Sequence, residues 1–118
     1  MNRPDTIAYL EAAMRALGQH GRAIATNVAN LDTPGYRRLE VQFRQALAEA
    51  MRSGRPEDLA RFRPELVRPM TTPVDGRGND VNLDMEVGEM VRNGAMYKTY
   101  MRLMAKLYRQ MEMAMEGQ

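Results

Sequence analysis

The first part of the chain carries apolar and small residues at spacings that alternate between three and four positions. This heptad pattern predicts a helix over about residues 5–31 that packs along its length against another helix. We expect Asp5 or Thr6, just after Pro4, to be its N-cap. At 1.5 Å per residue the helix would be roughly 40 Å long. Its predicted packing seam consists of Ile7, Leu10, Met14, Leu17, Gly21, Ile24 and Val28.

The same alternation returns near the C-terminus and predicts a second helix over about residues 82–116. Asn82 is its predicted N-cap, and Asp84 and Glu86 place negative charge in the first turn, where the helix dipole favours it. This helix would be roughly 50 Å long. Its predicted packing seam consists of Leu83, Val87, Met90, Gly94, Tyr97, Met101, Met104, Tyr108 and Met111.

Each seam contains one glycine, Gly21 in the first helix and Gly94 in the second. Glycine in a helix interior costs about 1 kcal/mol relative to alanine. Two interpretations remain open for each: the glycine permits another backbone to approach closely, or it is a tolerated small residue beside a packing gap.

The segment between the helices, residues 32–80, is predicted to be extended or irregular. Residues 41–51 favour a short helix or an extension. Residues 53–80 are rich in proline and glycine, so they are either a disordered linker or a loop that a partner orders. The predicted fold is therefore a single all-α domain over residues 1–118, with two long terminal helices and an irregular middle.

Composition qualifies the predicted core. Of the 118 residues 44% are hydrophobic, but only 6% are aromatic and there is no tryptophan. Eight of the twelve methionines lie at or after Met85. Methionine packs against irregular surfaces, so this methionine-rich stripe is either core or a face that contacts several partners.

The residues that usually carry enzyme chemistry are scarce. There is no cysteine and His20 is the single histidine, so neither a nucleophile–histidine set nor a multi-ligand metal site is expected. No phosphate-binding glycine motif occurs, and no cofactor or small-molecule substrate is expected. Asp84, Glu86 and Glu89 are interpreted as a charged first turn. We expect a structural protein rather than an enzyme.

Charge argues against nucleic acid as a partner. The 17 basic and 15 acidic residues give a net charge of +2, and they are interleaved along the chain as on a solvated surface. The N-terminus lacks the apolar segment of a cleavable signal peptide, and no apolar run approaches the ~18 residues of a membrane span.

The most informative segment joins the end of the first helix to a turn. Asn30 is suited to the left-handed conformation that ends helices, and Pro34-Gly35 fits the centre of a type II turn. Asn27 and Asn30 share a helix face, from which their amides can bond the returning chain or a neighbouring molecule. Tyr36 then begins an extended segment. The motif comprises Asn27, Asn30, Thr33, Pro34, Gly35 and Tyr36.

This motif, NVANLDTPGY at 27–36, resembles the N-terminal signature of the flagellar axial proteins. The resemblance continues through RRLEVQFRQAL at 37–47 and resumes at 79–108 with NDVNLDMEVGEMVRNGAMYKTYMRLMAKLY. Because the segment between the helices is short, the chain is most similar to the proximal rod proteins of the flagellar basal body. A FlgC-type rod subunit is the alternative within the family.

The resemblance implies that the two terminal helices pair as an antiparallel coiled coil and that copies polymerise into a helical tube. Such a tube transmits torque and forms the export channel. The implied location is the periplasmic rod, reached through the type III export route without a cleaved signal peptide. Implied partners are further copies of the chain, FlgC-type and distal rod proteins, the adaptor protein FliE at the rod base, the MS ring and the export gate. A helical adaptor or chaperone of flagellar secretion, or a binder of membrane surfaces or nucleic acid, are the other hypotheses.

Overall fold

The computed structural model describes residues 3–117 and shows a long, narrow molecule of 66 × 26 × 14 Å. Two long helices at the termini, as predicted, account for most of its length. Shorter elements lie between them in the chain. The elements are α1 (Arg3–Ala29), β1 (Glu40–Gln42), α2 (Arg44–Arg52), α3 (Pro56–Arg61), β2 (Glu65–Val67) and α4 (Leu83–Glu116).

The two long helices lie side by side and run in opposite directions. Nδ2 of Asn93 donates a 3.0 Å hydrogen bond to the carbonyl of Leu17, and the hydroxyl of Tyr108 lies 3.5 Å from Oε1 of Glu11. Between these two contacts the residue numbers increase along α1 and decrease along α4, so the two helices are antiparallel.

The middle of the chain is more ordered than predicted. Helices α2 and α3 form within it, and β1 pairs with β2 in an antiparallel ladder that places Val41 opposite Leu66. The all-α prediction therefore missed two three-residue strands. The expectation of an unstructured stretch over 53–80 is wrong because Leu59 and Phe62 are buried in the core of the same chain.

Helix α1 lies at the centre of the molecule because two of its sides are covered. One side faces α4, and a second side carries alanines that let α2 and α3 approach closely. Burial of apolar surface at this second side stabilises the middle segment against the helix pair. The buried cluster there consists of Ala12, Ala13, Ala16, Leu47, Leu59 and Phe62.

The ends of the helices follow the predicted chemistry only at α4. Oδ1 of Asn82 accepts a 3.0 Å hydrogen bond from the backbone NH of Met85, as expected of an N-cap. Helix α1 instead begins at Arg3, so Asp5 lies in its first turn, and the prediction of an N-cap at Asp5 or Thr6 is wrong. Within residues 3–117, no helix combines the length and the apolar character needed to cross a membrane.

Candidate assembly site: a polar joint and an open apolar seam

Asn27, in the last turns of α1, holds the returning chain through both the oxygen and the nitrogen of its side-chain amide. It is 0% exposed. Its Oδ1 accepts hydrogen bonds of 2.8 Å from the hydroxyl of Tyr36 and from the backbone NH of Leu39. Its Nδ2 donates a 2.9 Å bond to the carbonyl of Leu39. Asn27 thus bonds the returning chain, the first of the two partners expected for it.

Asn30 ends α1 by hydrogen bonding and not by a left-handed backbone. Its Nδ2 donates to the carbonyl of Thr26 at 2.8 Å, and its Oδ1 accepts a 3.1 Å bond from the hydroxyl of Thr33. Among the described residues other than glycine, only Met70 has a positive φ. The prediction of a left-handed Asn30 is therefore wrong, because these side-chain bonds already satisfy the helix end.

The turn after α1 has the predicted form. The backbone NH of Tyr36 lies 3.3 Å from the carbonyl of Thr33, and Gly35 has a φ of 76° at the third position of the turn. Positive φ at this position defines a type II turn and follows naturally after Pro34. The NH of Gly35 also donates a 2.9 Å bond to the carbonyl of Arg77, which ties the turn to the loop before α4.

Asn79, in that loop, binds the end of α1 from the other side. Its Nδ2 donates to the carbonyls of Asn30 and Thr33 at 2.9 and 2.8 Å, and its Oδ1 accepts a 2.8 Å bond from the NH of Val81. The sequence reasoning did not single out Asn79, although it begins the C-terminal block that carries the family resemblance. Its position three residues before the N-cap Asn82 is the signal in the sequence that points to it.

Two buried carboxylates complete this region. Asp80 accepts a 2.6 Å bond from the NH of Arg38 and a 3.0 Å bond from Nε of Arg37. Oε1 of Glu86 accepts a 2.9 Å bond from Nε of Arg38, and Glu86 is 0% exposed. Glu86 lies in the first turn of α4, as interpreted, and its charged side chain is buried there and directed to Arg38.

We call this hydrogen-bonded region the polar joint, since it fastens the end of α1 to the start of α4. Most of its members are buried, so their polar groups depend on one another instead of on water. The polar joint consists of Asn27, Asn30, Tyr36, Arg38, Asn79, Asp80 and Glu86.

Asp75 shapes the exposed loop beside the polar joint. Its Oδ1 accepts hydrogen bonds from the backbone NH groups of Arg77 and Asn79 at 2.8 and 3.1 Å. Because these bonds favour the charged form, they lower the pKa of the Asp75 carboxyl below its ordinary value, and the Arg77 guanidinium adds to this effect.

The predicted seam of α1 is largely inside the molecule. Ile7, Leu10, Leu17 and Ile24 are buried, and the remaining members are half-buried. The packing seam predicted for α1 therefore consists largely of core positions of the folded chain. The half-buried members are Met14, Gly21 and Val28.

The predicted seam of α4 coincides only in part with the face that contacts α1, where the hydroxyl of Tyr108 lies 3.5 Å from Oε1 of Glu11. Helix α4 turns Glu86, Asn93 and Tyr100, spaced seven apart, toward the rest of the chain. The observed contact face of α4 is therefore rotated from the centre of the predicted seam, because the polar joint and the Asn93 bond set the rotation of the helix. Gly94, Met104 and Met111 are half-buried at the edge of the contact. We call the exposed members the open seam: Leu83, Val87, Met90, Tyr97, Met101 and Tyr108.

The open seam belongs to a helix that is apolar well beyond its inner face. Of the sixteen large hydrophobic side chains exposed in the described part of the chain, twelve lie on α4. Met101 is 50% exposed and Val87 is 48% exposed. Large hydrophobic side chains exposed in this number on one helix are typical of a protein–protein contact.

The two seam glycines have different surroundings. A Cβ added to Gly21 would lie 3.2 Å from Nδ2 of Asn93, whereas a Cβ added to Gly94 would meet nothing within 4 Å. Gly21 therefore permits a close approach of α4, and Gly94 faces open space in the single chain.

The single histidine lies between the two long helices. Nε2 of His20 is 3.3 Å from Oε2 of Glu89, and Arg92 donates a 2.6 Å bond to the other oxygen of Glu89. The hydrogen bond from Arg92 is the largest cause that lowers the pKa of the Glu89 carboxyl, and the hydrogen bond from His20 lowers it further. In residues 3–117 the acidic and histidine side chains form no group of three or more placed to hold a metal ion.

The fold and the site define a class of protein: an elongated helical subunit, fastened at one end and apolar along one outer face. The chain is 30% identical over 103 residues to the flagellar basal body rod protein FlgB of Aeromonas hydrophila, covering 78% of each chain. It is 23% identical over 111 residues to FlgB of Borreliella burgdorferi, covering 79% of this chain and 82% of that protein. No protein-family model matches the chain. The chain belongs to the FlgB family of flagellar basal body rod proteins.

Proposed function

We propose that this chain is a structural subunit of the proximal rod of the flagellar basal body. It polymerises with other rod proteins into a helical tube that transmits torque and encloses the export channel. The observation that carries the proposal is the open seam of α4, whose members the rest of the chain leaves 36–50% exposed. Membership of the FlgB family of rod proteins supports an assembly in which neighbouring subunits cover that seam.

The open seam has the length needed for packing between long helices. Leu83 and Tyr108 are 25 residues apart, which corresponds to roughly 38 Å along the helix axis. Its spacing of seven suits the interdigitated packing of a coiled coil. In the assembled rod, α1 and α4 form an antiparallel coiled coil, and the seam of each copy packs on its neighbour.

The polar joint keeps the helix pair in one arrangement during this packing. Asn27 and Asn79 hold the turn from opposite sides, and Glu86 anchors the start of α4. A joint of this kind keeps α1 and α4 in fixed register, so that the open seam is presented as one continuous surface. This is the role that we assign to the motif at 27–36.

The partners follow from the family. They are further copies of this chain, FlgC-type and distal rod proteins, the adaptor protein FliE at the rod base, the MS ring and the export gate. The assembled subunit lies in the periplasmic rod.

Electron cryotomography of basal bodies in a strain that lacks the chain tests the proposal. We expect an MS ring without a rod, and we expect the wild-type gene to restore the rod and swimming. An intact rod and swimming cells in the deletion strain would refute the proposal.

A matched pair of variants tests the open seam in the same strain. Met101→Glu places a charge in the open seam, at a residue that is 50% exposed. Met113→Glu places the same charge on α4 outside the open seam, at a residue that is 64% exposed. We expect Met101→Glu to abolish rod assembly and Met113→Glu to retain it. Equal assembly of the two variants would show that the open seam is not the contact face.

A further inference from the structure

Methionine side chains are concentrated on the exposed surface of α4. Among the described residues eight methionines are exposed, and six of them lie on this helix. Their exposed fractions range from 37% at Met85 to 72% at Met115. Methionine is more often a core residue, so these side chains are open to small reactive solutes that a packed interior would exclude. The six are Met85, Met90, Met96, Met101, Met113 and Met115.

The composition of the chain makes methionine the first target of an oxidant. There is no cysteine and no tryptophan, so neither a thiolate nor an indole competes for it. Hydrogen peroxide oxidises a thioether by oxygen transfer: a sulfur lone pair attacks one peroxide oxygen, and the S–O bond forms as the O–O bond breaks. The second oxygen takes the proton of the first and leaves as water. The sulfur is thereby oxidised to the sulfoxide and the peroxide is reduced to water.

Two of the exposed methionines belong to the open seam. Met90 is 46% exposed and Met101 is 50% exposed. They are 11 residues apart, which places them on the same side of α4 at a separation of roughly 17 Å. By contrast, Met14 in the predicted seam of α1 is half-buried. An oxidant in solution therefore reaches the open seam more readily than the contact between the two long helices.

Oxidation changes what the open seam can contact. A sulfoxide replaces a flexible apolar side chain by a polar one whose oxygen accepts hydrogen bonds. In the single chain water satisfies that oxygen, so the fold should be unaffected. In a contact made of apolar side chains the oxygen loses its water without gaining a donor, which is unfavourable.

We infer that Met90 and Met101 form a reversible oxidation site that controls incorporation of the chain. Hydrogen peroxide converts their thioethers to sulfoxides in the free chain, and the oxidised open seam no longer packs on a neighbour. Methionine sulfoxide reductases reverse the change: two thiols are oxidised to a disulfide, the sulfoxide oxygen leaves as water and the thioether is restored. The oxidation rests on the exposure of the two side chains alone, whereas its effect on incorporation rests on the proposed function.

Peptide mass spectrometry of the purified chain tests the oxidation. The chain is treated with dilute hydrogen peroxide, and the gain of one oxygen atom at each methionine is followed over time. We expect Met90 and Met101 to be oxidised several-fold faster than the half-buried Met14, while circular dichroism shows that the helices persist. Equal rates at the three residues, or loss of helix before the two are oxidised, would refute the site.

Glutamine imitates the sulfoxide genetically, because it is of similar length and carries a carbonyl oxygen. In the deletion strain we expect Met90→Gln with Met101→Gln to cause a strong loss of rods. The matched pair Met96→Gln with Met113→Gln changes residues of α4 that are 41% and 64% exposed and lie outside the open seam. This pair should leave the number of rods unchanged. Equal rod counts in the two strains would contradict the effect on incorporation.

Leucine variants connect the chemistry to assembly, because leucine is apolar and has no sulfur to oxidise. Met90→Leu with Met101→Leu should assemble like the wild type. When cells are exposed to hydrogen peroxide during rod assembly, we expect this pair to keep rods that the wild type loses. Met96→Leu with Met113→Leu should lose them as the wild type does, since the sulfurs of the open seam remain. If the first leucine pair is as sensitive as the wild type, peroxide acts on another target and the inference is wrong.

The outcomes distinguish this inference from the proposed function. If the deletion strain lacks rods but the glutamine pair in the open seam assembles normally, the control of incorporation is refuted while the rod function stands. If the deletion strain keeps its rod, the proposed function fails and the control of incorporation fails with it. The oxidation rates of the purified chain are measured independently of both results.

Discussion

Nε of Arg38 lies 2.9 Å from Oε1 of Glu86, and this ion pair connects the extended segment after α1 to the first turn of α4. The side chains are only 7% and 0% exposed. Oε2 of Glu86 is buried without a hydrogen-bond partner among the described residues, so Arg38 carries most of the compensation for its charge. The pair thus joins two parts of the chain that are 48 residues apart.

Removing Arg38 should destabilise the chain more than neutralising Glu86. Arg38→Met leaves a buried carboxylate without its partner, which costs about 3–5 kcal/mol. Glu86→Gln keeps an acceptor for Arg38 and loses less. The double variant Arg38→Met with Glu86→Leu should recover part of the loss, since no buried charge remains. Urea unfolding followed by circular dichroism measures all three, and an Arg38→Met chain as stable as wild type would contradict the burial of Glu86.

The Asn27 amide should contribute more to stability than any single bond that it makes. Asn27→Ala leaves the hydroxyl of Tyr36 and both backbone groups of Leu39 without their partner, so we expect a loss of roughly 3 kcal/mol, against about 1 kcal/mol for Tyr36→Phe. In the double variant the second substitution should add little, because the bond is already lost. Full additivity in urea unfolding would show that the two side chains do not interact.

The ends of the chain could be predicted from sequence because their signals are local. Two uninterrupted heptad patterns, an asparagine at the start of α4 and a proline-glycine pair gave the two helices, the cap at Asn82 and the turn at Gly35. Each of these features depends on residues a few positions apart. The spacing of residue types along the sequence was therefore sufficient to predict these features.

The rotation of α4 could not be predicted in this way. The heptad pattern predicts that its most apolar stripe packs on α1, but Glu86 and Asn93 face inward to bond Arg38 and the carbonyl of Leu17, which lie far away in sequence. Polar contacts between distant segments leave no periodic signal. The middle segment was missed for the same reason: Leu59 and Phe62 are isolated apolar residues among breakers, and only the alanine face of α1 makes them core.

Substituting Gly35 should destabilise the turn through backbone strain alone. Its φ is 76° and a Cβ there would meet no atom within 4 Å, so steric contact plays no part. We expect Gly35→Val to cost at least 1–2 kcal/mol, roughly the left-handed penalty of an ordinary residue, and Gly35→Asn to cost less. Gly76→Ala, in the neighbouring loop and without a positive φ, is the control and should be nearly neutral. Equal stability of the Val and Asn variants would contradict the strain.

Acid should weaken the loop before α4 through Asp75. Hydrogen bonds from the NH groups of Arg77 and Asn79 hold the pKa of this carboxyl below its ordinary value of 3.8. Its contribution to stability is therefore complete above that value, and it is lost as the pH falls through the lower pKa of the folded state. Unfolding of wild type and Asp75→Asn, measured from about pH 6 to about pH 3 and below, should show a stability difference that shrinks on acidification. A difference that stays constant would assign the effect to another group.

The two seam glycines should separate folding from assembly. Gly94→Val adds a side chain where the single chain has open space, and valine has a higher helix propensity than glycine, so the purified chain should be at least as stable as wild type. In the packing that we propose for the rod, the same side chain lies beside the open seam and should reduce or stop incorporation. Gly21→Val should act on the chain itself, because its Cβ would lie 3.2 Å from Nδ2 of Asn93, which donates to the carbonyl of Leu17. Thermal unfolding measures the stability of each purified variant, and rod counts from electron cryotomography measure its incorporation. If Gly94→Val unfolds early, its surroundings are closed in the single chain; if it assembles normally, neighbouring copies do not approach α4 at this position.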